Sequence, residues 1–533
     1  MSYSQIITRS LSTVLSAALL TFSSPHAEVG DQLAKLLAGD GAAQDLLGIS
    51  VAVSGTIAIV GAYGDDDNGL DSGSAYVYDT VSGLQLFKLV PSDGAPQDLF
   101  GYSVAISGTT AIIGAYGDDD NTSFSGSAYL FDVTTGLQTA KLLASDGNGF
   151  DLFGQSVSIS GTTAIVGAEG DDADGLNSGS AYLFDTVTGM QIARLNADDA
   201  GPSDRFGISV SISGTTAIVG AVGDNVSGLS SGSAYLFDIV TGNQIAKLVP
   251  GDGGGSDFFG WAVAISGSRA VVGAFGDNDS GLDSGSAYLF DSVTGLLVSK
   301  LIPSDLVAGD LFGQAVAISG RTAIVSSKQD DENGFQSGSA YLFDTVTGLE
   351  VAKLIPDDGD VADYFSQSVG INGKTAIIGS YRDDDKRPES GSAYLFEALP
   401  PAALTSENNS ISLSAGGSQA LVLDGSPSSA GWYYLMLGSV TGTSPGIDFG
   451  GGIELPLNFD VYMNLTLFKP TLSAFNNFTG TFDGAGQAIA SLTLPALMDP
   501  SLAGVTINHA YLAAAVFGTP DFASNAVSVM LVP

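Results

Sequence analysis

Residues Gly61 to Asp79, Gly-Ala-Tyr-Gly-Asp-Asp-Asp-Asn-Gly-Leu-Asp-Ser-Gly-Ser-Ala-Tyr-Val-Tyr-Asp, form an acidic, glycine-rich loop that runs into an alternating β-type segment. The stretch occurs seven times, starting at Gly61, Gly114, Gly167, Gly220, Gly273, Ser326 and Gly379, each 53 residues after the last. A fixed period of this length means that each unit buries its apolar faces against its neighbours.

Each period opens on a Phe-Gly or its equivalent: Leu47-Gly48, Phe100-Gly101, Phe153-Gly154, Phe206-Gly207, Phe259-Gly260, Phe312-Gly313 and Phe365-Ser366. The second period predicts four strands. Tyr102 to Ile106 is followed by a tight Ser107-Gly108 turn and Thr110 to Ala115. The Asp-rich loop leads to Ser127 to Phe131, and Thr135-Gly136 turns the chain into Leu137 to Leu142. The second and third strands are apolar at both alternations, so each small sheet needs cover on both faces. Seven such sheets predict a closed β-propeller. After Ser392 to Phe396 the seventh repeat lacks a fourth strand, whereas Asp31 to Leu36 matches the fourth strand of the first repeat. An N-terminal strand is therefore expected to complete the last blade and remove the open edges.

Phe100-Gly101, Gly114-Ala115 and Ser125-Gly126-Ser127-Ala128-Tyr129-Leu130-Phe131 resemble FG-GAP repeats, the units of integrin α-subunit propellers and of many exported bacterial proteins. The resemblance covers about residues 30 to 397. It implies a propeller used for adhesion or as an interaction scaffold. Two features depart from the family. The Pro of Gly-Ala-Pro is replaced by Tyr63, Tyr116, Glu169, Val222 and Phe275 in the first five repeats. The family's calcium pattern, Asp-x-Asp-x-Asp-Gly between the first and second strands, has no room in the short Ser54-Gly55 and Ser107-Gly108 turns.

The rest of the chain sets the context. Met1 to Ala27, with Arg9, an apolar Leu11 to Phe22 and Ala27 at a cleavage position, resembles a secretory signal peptide. Residues 28–397 are the propeller, 398–404 a linker and 405–533 a β-rich accessory domain. Its alternating segments Ser410 to Leu423, Thr481 to Leu494 and Ala526 to Val532 suggest a small β-sandwich. There is no transmembrane stretch, and there is no Cys for disulfides or thiolate chemistry. The net charge of −40 argues against nucleic acid and anionic membranes, whose phosphates need clustered cations.

The loops after the second strand and the links between blades are expected on one acidic face. Asp65, Asp66, Asp67, Asp118, Asp119, Asp120, Asp171, Asp172, Asp277, Asp279, Asp330, Asp331, Asp383, Asp384 and Asp385 are its candidate binding residues. Asp65, Asp67 and Asp71 could give a calcium ion some of its oxygen ligands, but the incomplete pattern favours hydrated turn formers. Lys35, Lys88, Lys141, Arg194, Lys247, Lys300 and Lys353 recur in the outermost strand, where they are expected to keep the edges soluble and unpaired. Only Arg205, Lys328, Arg382, Lys386 and Arg387 are cations on the acidic face, and they break its near-symmetry.

These features predict a secreted or cell-surface, monomeric and non-enzymatic scaffold for an extracellular protein or glycan. The alternatives are a hydrolase or lyase using paired carboxylates, and a structural surface-layer component. Seven near-equivalent loops supply no unique catalytic pair, and the propeller lacks His and Cys. In the accessory domain, Trp432, Tyr433 and Tyr434 could form a carbohydrate-stacking platform but are expected to be core, and His509 is expected to be a packed or surface histidine rather than a catalyst.

Overall fold

The computed structural model describes residues 29–398 throughout and, beyond them, a set of strands between Ala403 and Val532. The leader and Trp432 lie outside the described residues. Among the described residues there is no helix, so none crosses a membrane.

Seven four-stranded antiparallel sheets form the propeller. In the first blade the strands are β1 Val51–Ser54, β2 Ile57–Ala62, β3 Ser74–Asp79 and β4 Gln85–Leu89, in that order from the axis outward. β2 and β3 are buried almost throughout, as their two apolar alternations require, whereas β4 is largely exposed at its start. The innermost strands contact one another around the ring, and that of the seventh blade, Phe365–Asn372, contacts β1. Closure is made as expected: Gln32–Leu36 pairs antiparallel with Ser392–Glu397 and supplies the seventh blade's outer strand.

Each core is shared between neighbouring blades. Ile59 and Val77 of the first blade pack with Ile113, Tyr129 and Phe131 of the second. Phe100 lies edge-on to Tyr129 and Phe131, with ring centroids 5.5 and 5.8 Å away, and the same triad recurs in later blades. The paired glycines explain the rest of the motif. A Cβ on Gly114 would stand 1.9 Å from the Gly154 carbonyl oxygen of the next blade, so the backbones meet there with no side chain between. Ser103 Oγ donates to that same oxygen at 2.8 Å, and Ser368 does the same to Gly48 across the closing junction.

The sixth-to-seventh junction departs from this rule. Both partners are serine, Ser326 and Ser366, and Ser366 keeps a left-handed φ of 71° that glycine would adopt without strain. Its Oγ donates to the Ser339 carbonyl at 2.5 Å.

Beyond residue 398, Gly417–Asp424 pairs with Gln487–Leu494, and Thr506–Ala514 pairs with Tyr433–Ser439 and Val527–Val532. Gly417–Asp424, Gln487–Leu494 and Val527–Val532 overlap the segments picked out by alternation, whereas Tyr433–Ser439 and Thr506–Ala514 lie outside them. His509 is fully buried in the Thr506–Ala514 strand, and burial pushes its pKa down to about 3. It is uncharged at neutral pH.

Two glycine substitutions separate contact from conformation. Gly114→Ala should cost about 3 kcal/mol through the clash with Gly154. Gly108→Ala, whose Cβ would meet no atom within 4 Å, should cost only the left-handed φ, about 1 kcal/mol. Urea denaturation of the two variants measures the difference; equal costs would contradict the close backbone contact.

Candidate functional site

The Asp-rich loops and the interblade links do share one face: Gln97 and Leu99 in a link donate backbone hydrogen bonds to Leu70 and Asp71 in the loop beside it. The acids there fall into distinct groups. Asp65, Asp118, Asp171, Asp277, Asp330 and Asp383 are buried beneath the loops, whereas Asp67, Asp120, Asp279 and Asp385 are exposed. Asp66, Asp172 and Asp331 turn back and accept the amides of Asp71, Asn177 and Gln336, pinning each loop. Asp119 and Asp384 are exposed on the rim.

The periodic lysines correct the expectation that they guard free edges. Lys88 does sit in an outer strand, but its ammonium reaches over the blade to Asp65 at 2.7 Å, Asp67 at 2.6 Å and Asp40 at 2.9 Å. It also lies 5.4 Å from the centre of the Tyr76 ring, and the Tyr76 hydroxyl donates to Asp65 at 2.9 Å. The clamp repeats around Lys35, Lys141, Lys300 and Lys353, and with two carboxylates around Arg194 and Lys247. Lys35 carries it across the closure, joining the N-terminal strand to Asp358, Asp383 and Asp385.

This geometry bears directly on calcium. Asp65 and Asp67 already share the Lys88 ammonium, and Asp71 lies outside that shell with a left-handed φ of 54°. Asp305, Asp330 and Glu332 are close enough together to hold an ion, yet Lys353 is bonded to all three. A fixed ammonium fills the position a divalent cation would take, so these residues do not fit one.

One set of side chains that differ from blade to blade collects at the mouth of the ring on the same face. Two positions per blade supply most of them, the residue after the second strand and the residue after the opening Phe-Gly. Tyr102 lies between Tyr63 of the preceding blade and Tyr116 of its own, at 5.8 and 4.6 Å between centroids. Burial first, then the neighbouring Tyr116, Glu169 and Tyr63, raise the Tyr102 hydroxyl. Tyr63 in turn is raised by burial and by Tyr381. Glu169 is buried and bonded to Arg205 at 2.7 Å, beside a cavity of about 380 Å³ lined by Leu152, Glu169, Gly170, Asn177, Ser203 and Arg205. In the fifth blade, Trp261 and Phe258 pack on Phe275.

At the sixth and seventh blades the mouth carries Lys328 and Arg382. Among the described residues Lys328 bonds only the Gln367 amide oxygen, at 3.3 Å, and it lies over the Tyr364 ring. Burial, then the nearby Arg382 charge, pushes its pKa down to about 8. Arg382 lies over Tyr364 and Tyr381 and reaches Glu389 only at 3.8 Å. The sequence did flag Arg205, Lys328 and Arg382 and the residues replacing Pro. It did not show that the aromatic and charged ones meet in one place; the signal was that positions following both glycines vary while their neighbours repeat.

The fold and this face define a seven-bladed propeller with a repetitive rim and a non-repetitive mouth. The FG-GAP repeat model matches residues 31–78, 84–131, 137–184, 190–237, 243–290, 296–343 and 349–396, and the chain belongs to the FG-GAP repeat family. No curated protein matches it. Among solved structures it is similar to the dihydro-heme d1 dehydrogenase NirN, with 14% identity and a TM-score of 0.34 over 57% of this chain and 56% of NirN. It thus spans about half the length of NirN. A europium-containing methanol dehydrogenase matches with 11% identity and a TM-score of 0.37 over 87% of this chain and 93% of that one. AztD from Citrobacter koseri matches with 11% identity and a TM-score of 0.35 over 59% and 72%.

Removing one clamp tests its structural role. Lys88→Met leaves the buried Asp65 uncompensated and should cost about 3 kcal/mol in chemical denaturation. A loss near zero would reduce the clamp to a surface ion pair.

The pH dependence has two opposing parts. Burial raises Asp98, Asp151, Asp310 and Asp363 to about 6, above their ordinary 3.8. Their contribution is fully present below about 3.8 and is lost as pH rises through about 6. Asp118, Asp277 and Asp383 behave oppositely: burial alone would raise them, but the lysine and tyrosine partners hold them below 3.8. Their stabilisation is present above 3.8 and disappears as pH falls further. Melting temperature should therefore rise between pH 7 and about 5 and drop below about 4; a monotonic fall on acidification would contradict these assignments.

Proposed function

We propose that this protein is an exported, non-enzymatic binding scaffold that captures an extracellular glycan or protein at the mouth of its loop face. One observation carries the reading. In a chain whose blades repeat closely, one set of residues that differ gathers at the mouth, and it includes types that bind: Tyr63, Tyr102, Tyr116, Trp261, Glu169 and Lys328. A fold that only needed rigidity would have no reason to vary these positions together. The leader resembling a signal peptide supports export, and the strongly acidic surface supports solubility.

The acidic rim then serves mainly to hold the loops and exclude polyanions. Aromatic rings with polar tips offer large contact area at little conformational cost. Binding to a glycan array and to matrix proteins, alongside a panel of hydrolase substrates, tests the proposal. Tyr116→Ala and Trp261→Ala should each weaken capture about tenfold, or about 1.4 kcal/mol. The rim change Asp119→Asn should leave it intact. Binding lost only with the rim variant would overturn the mouth, and robust turnover that survives repurification would overturn the non-enzymatic role.

A further inference from the structure

Resting on the mouth as the binding site, we infer that its ligand is a glycan bearing a single uronic acid, with the carboxylate received by Lys328 and Arg382. The charges are the first ground. The chain carries a net charge of −40, and the lysines and arginine of the periodic outer-strand position are all tied to carboxylates. Lys328 has no carboxylate within ion-pair distance among the described residues and leans on an amide and an aromatic ring instead. Arg382 has one distant partner. Two adjacent cations left short of anions, in a protein with acid to spare, make a place for an incoming one.

The backbone at this place is also unusual. The junction beneath Lys328 and Gln367 is the one where serine replaces both glycines, and Ser366 is held in the left-handed region. Its hydrogen bonds to Ser339 and from the Ser327 amide keep the altered junction in place. Strain retained at a site that presents two cations is consistent with pre-organisation for a ligand.

The rest of the mouth selects a sugar. Glu169 Oε2 is buried and lacks a hydrogen-bond donor, although Glu169 Oε1 is held by Arg205; Gln155 Oε1 and Gln314 Oε1 are likewise buried and unpartnered. Glu169, an acceptor in want of a donor beside the cavity, matches a hydroxyl group, and an aromatic wall matches the apolar face of a pyranose ring. The acidic rim limits the ligand's charge. A polysulfated or polyphosphorylated chain would be repelled over most of the face, whereas one carboxylate on a neutral glycan needs only Lys328 and Arg382.

The test compares three sugars on the whole protein by calorimetry: a xylo-oligosaccharide with one glucuronic acid branch, its methyl ester, and the unbranched oligosaccharide. The acid should bind at least tenfold more tightly than the other two. Lys328→Met and Arg382→Gln should each remove that preference while the melting temperature stays level or rises, because burying the Lys328 charge is unfavourable. Equal binding of acid and ester, abolished by Tyr116→Ala, would overturn the uronic acid and leave the mouth standing as a site. Binding indifferent to Tyr116→Ala and Trp261→Ala would overturn the mouth itself. No binding of any of the three at millimolar concentration would also overturn the uronic acid assignment.

Discussion

The ammonium group held among three carboxylates is the interaction on which this ring depends. Each lysine comes from the outer strand of a blade, and its acids come from the link before that blade and the loop after its second strand. One cation therefore ties three separate segments of chain. Without it, the buried aspartate under each loop would be a desolvated charge with no compensation. With it, a surface dense in acid stays folded without requiring a metal in those loops. The same clamp, made by Lys35, seals the ring where the two ends of the repeat meet.

Much of the architecture was legible in the sequence because its causes are local and periodic. The 53-residue spacing, the double apolar alternation of Ser127 to Phe131 and the orphan strand at Gln32–Leu36 each follow from burial and edge pairing, and the sheets are built accordingly. The lysines depart from their expected place at free edges for a physical reason. Position in an outer strand suggests exposure, but a four-carbon stem can cross the blade and place its charge among acids far away in sequence. Lys88 and Asp40 are 48 residues apart, and Lys35 and Asp385 are 350 apart.

The mouth was half legible. Tyr63, Tyr116 and Glu169 stood out as departures at the position of a family proline, and Arg205, Lys328 and Arg382 as cations on an acidic face. Their convergence needed the ring, because Tyr63, Tyr102 and Arg382 come from different blades and meet only when those blades are arranged around an axis. Repetition and exception thus divide the face: the repeated residues hold the loops, and exceptional ones gather at the mouth.

Hydrogen–deuterium exchange, with and without a glycan or protein that the molecule captures, tests this division most directly. The account predicts added protection at the mouth, around Tyr63, Tyr116, Lys328 and Tyr364, with little change in the acidic loops near Asp66, Asp119 and Asp384. Protection confined to those loops, with the mouth unchanged, would contradict it.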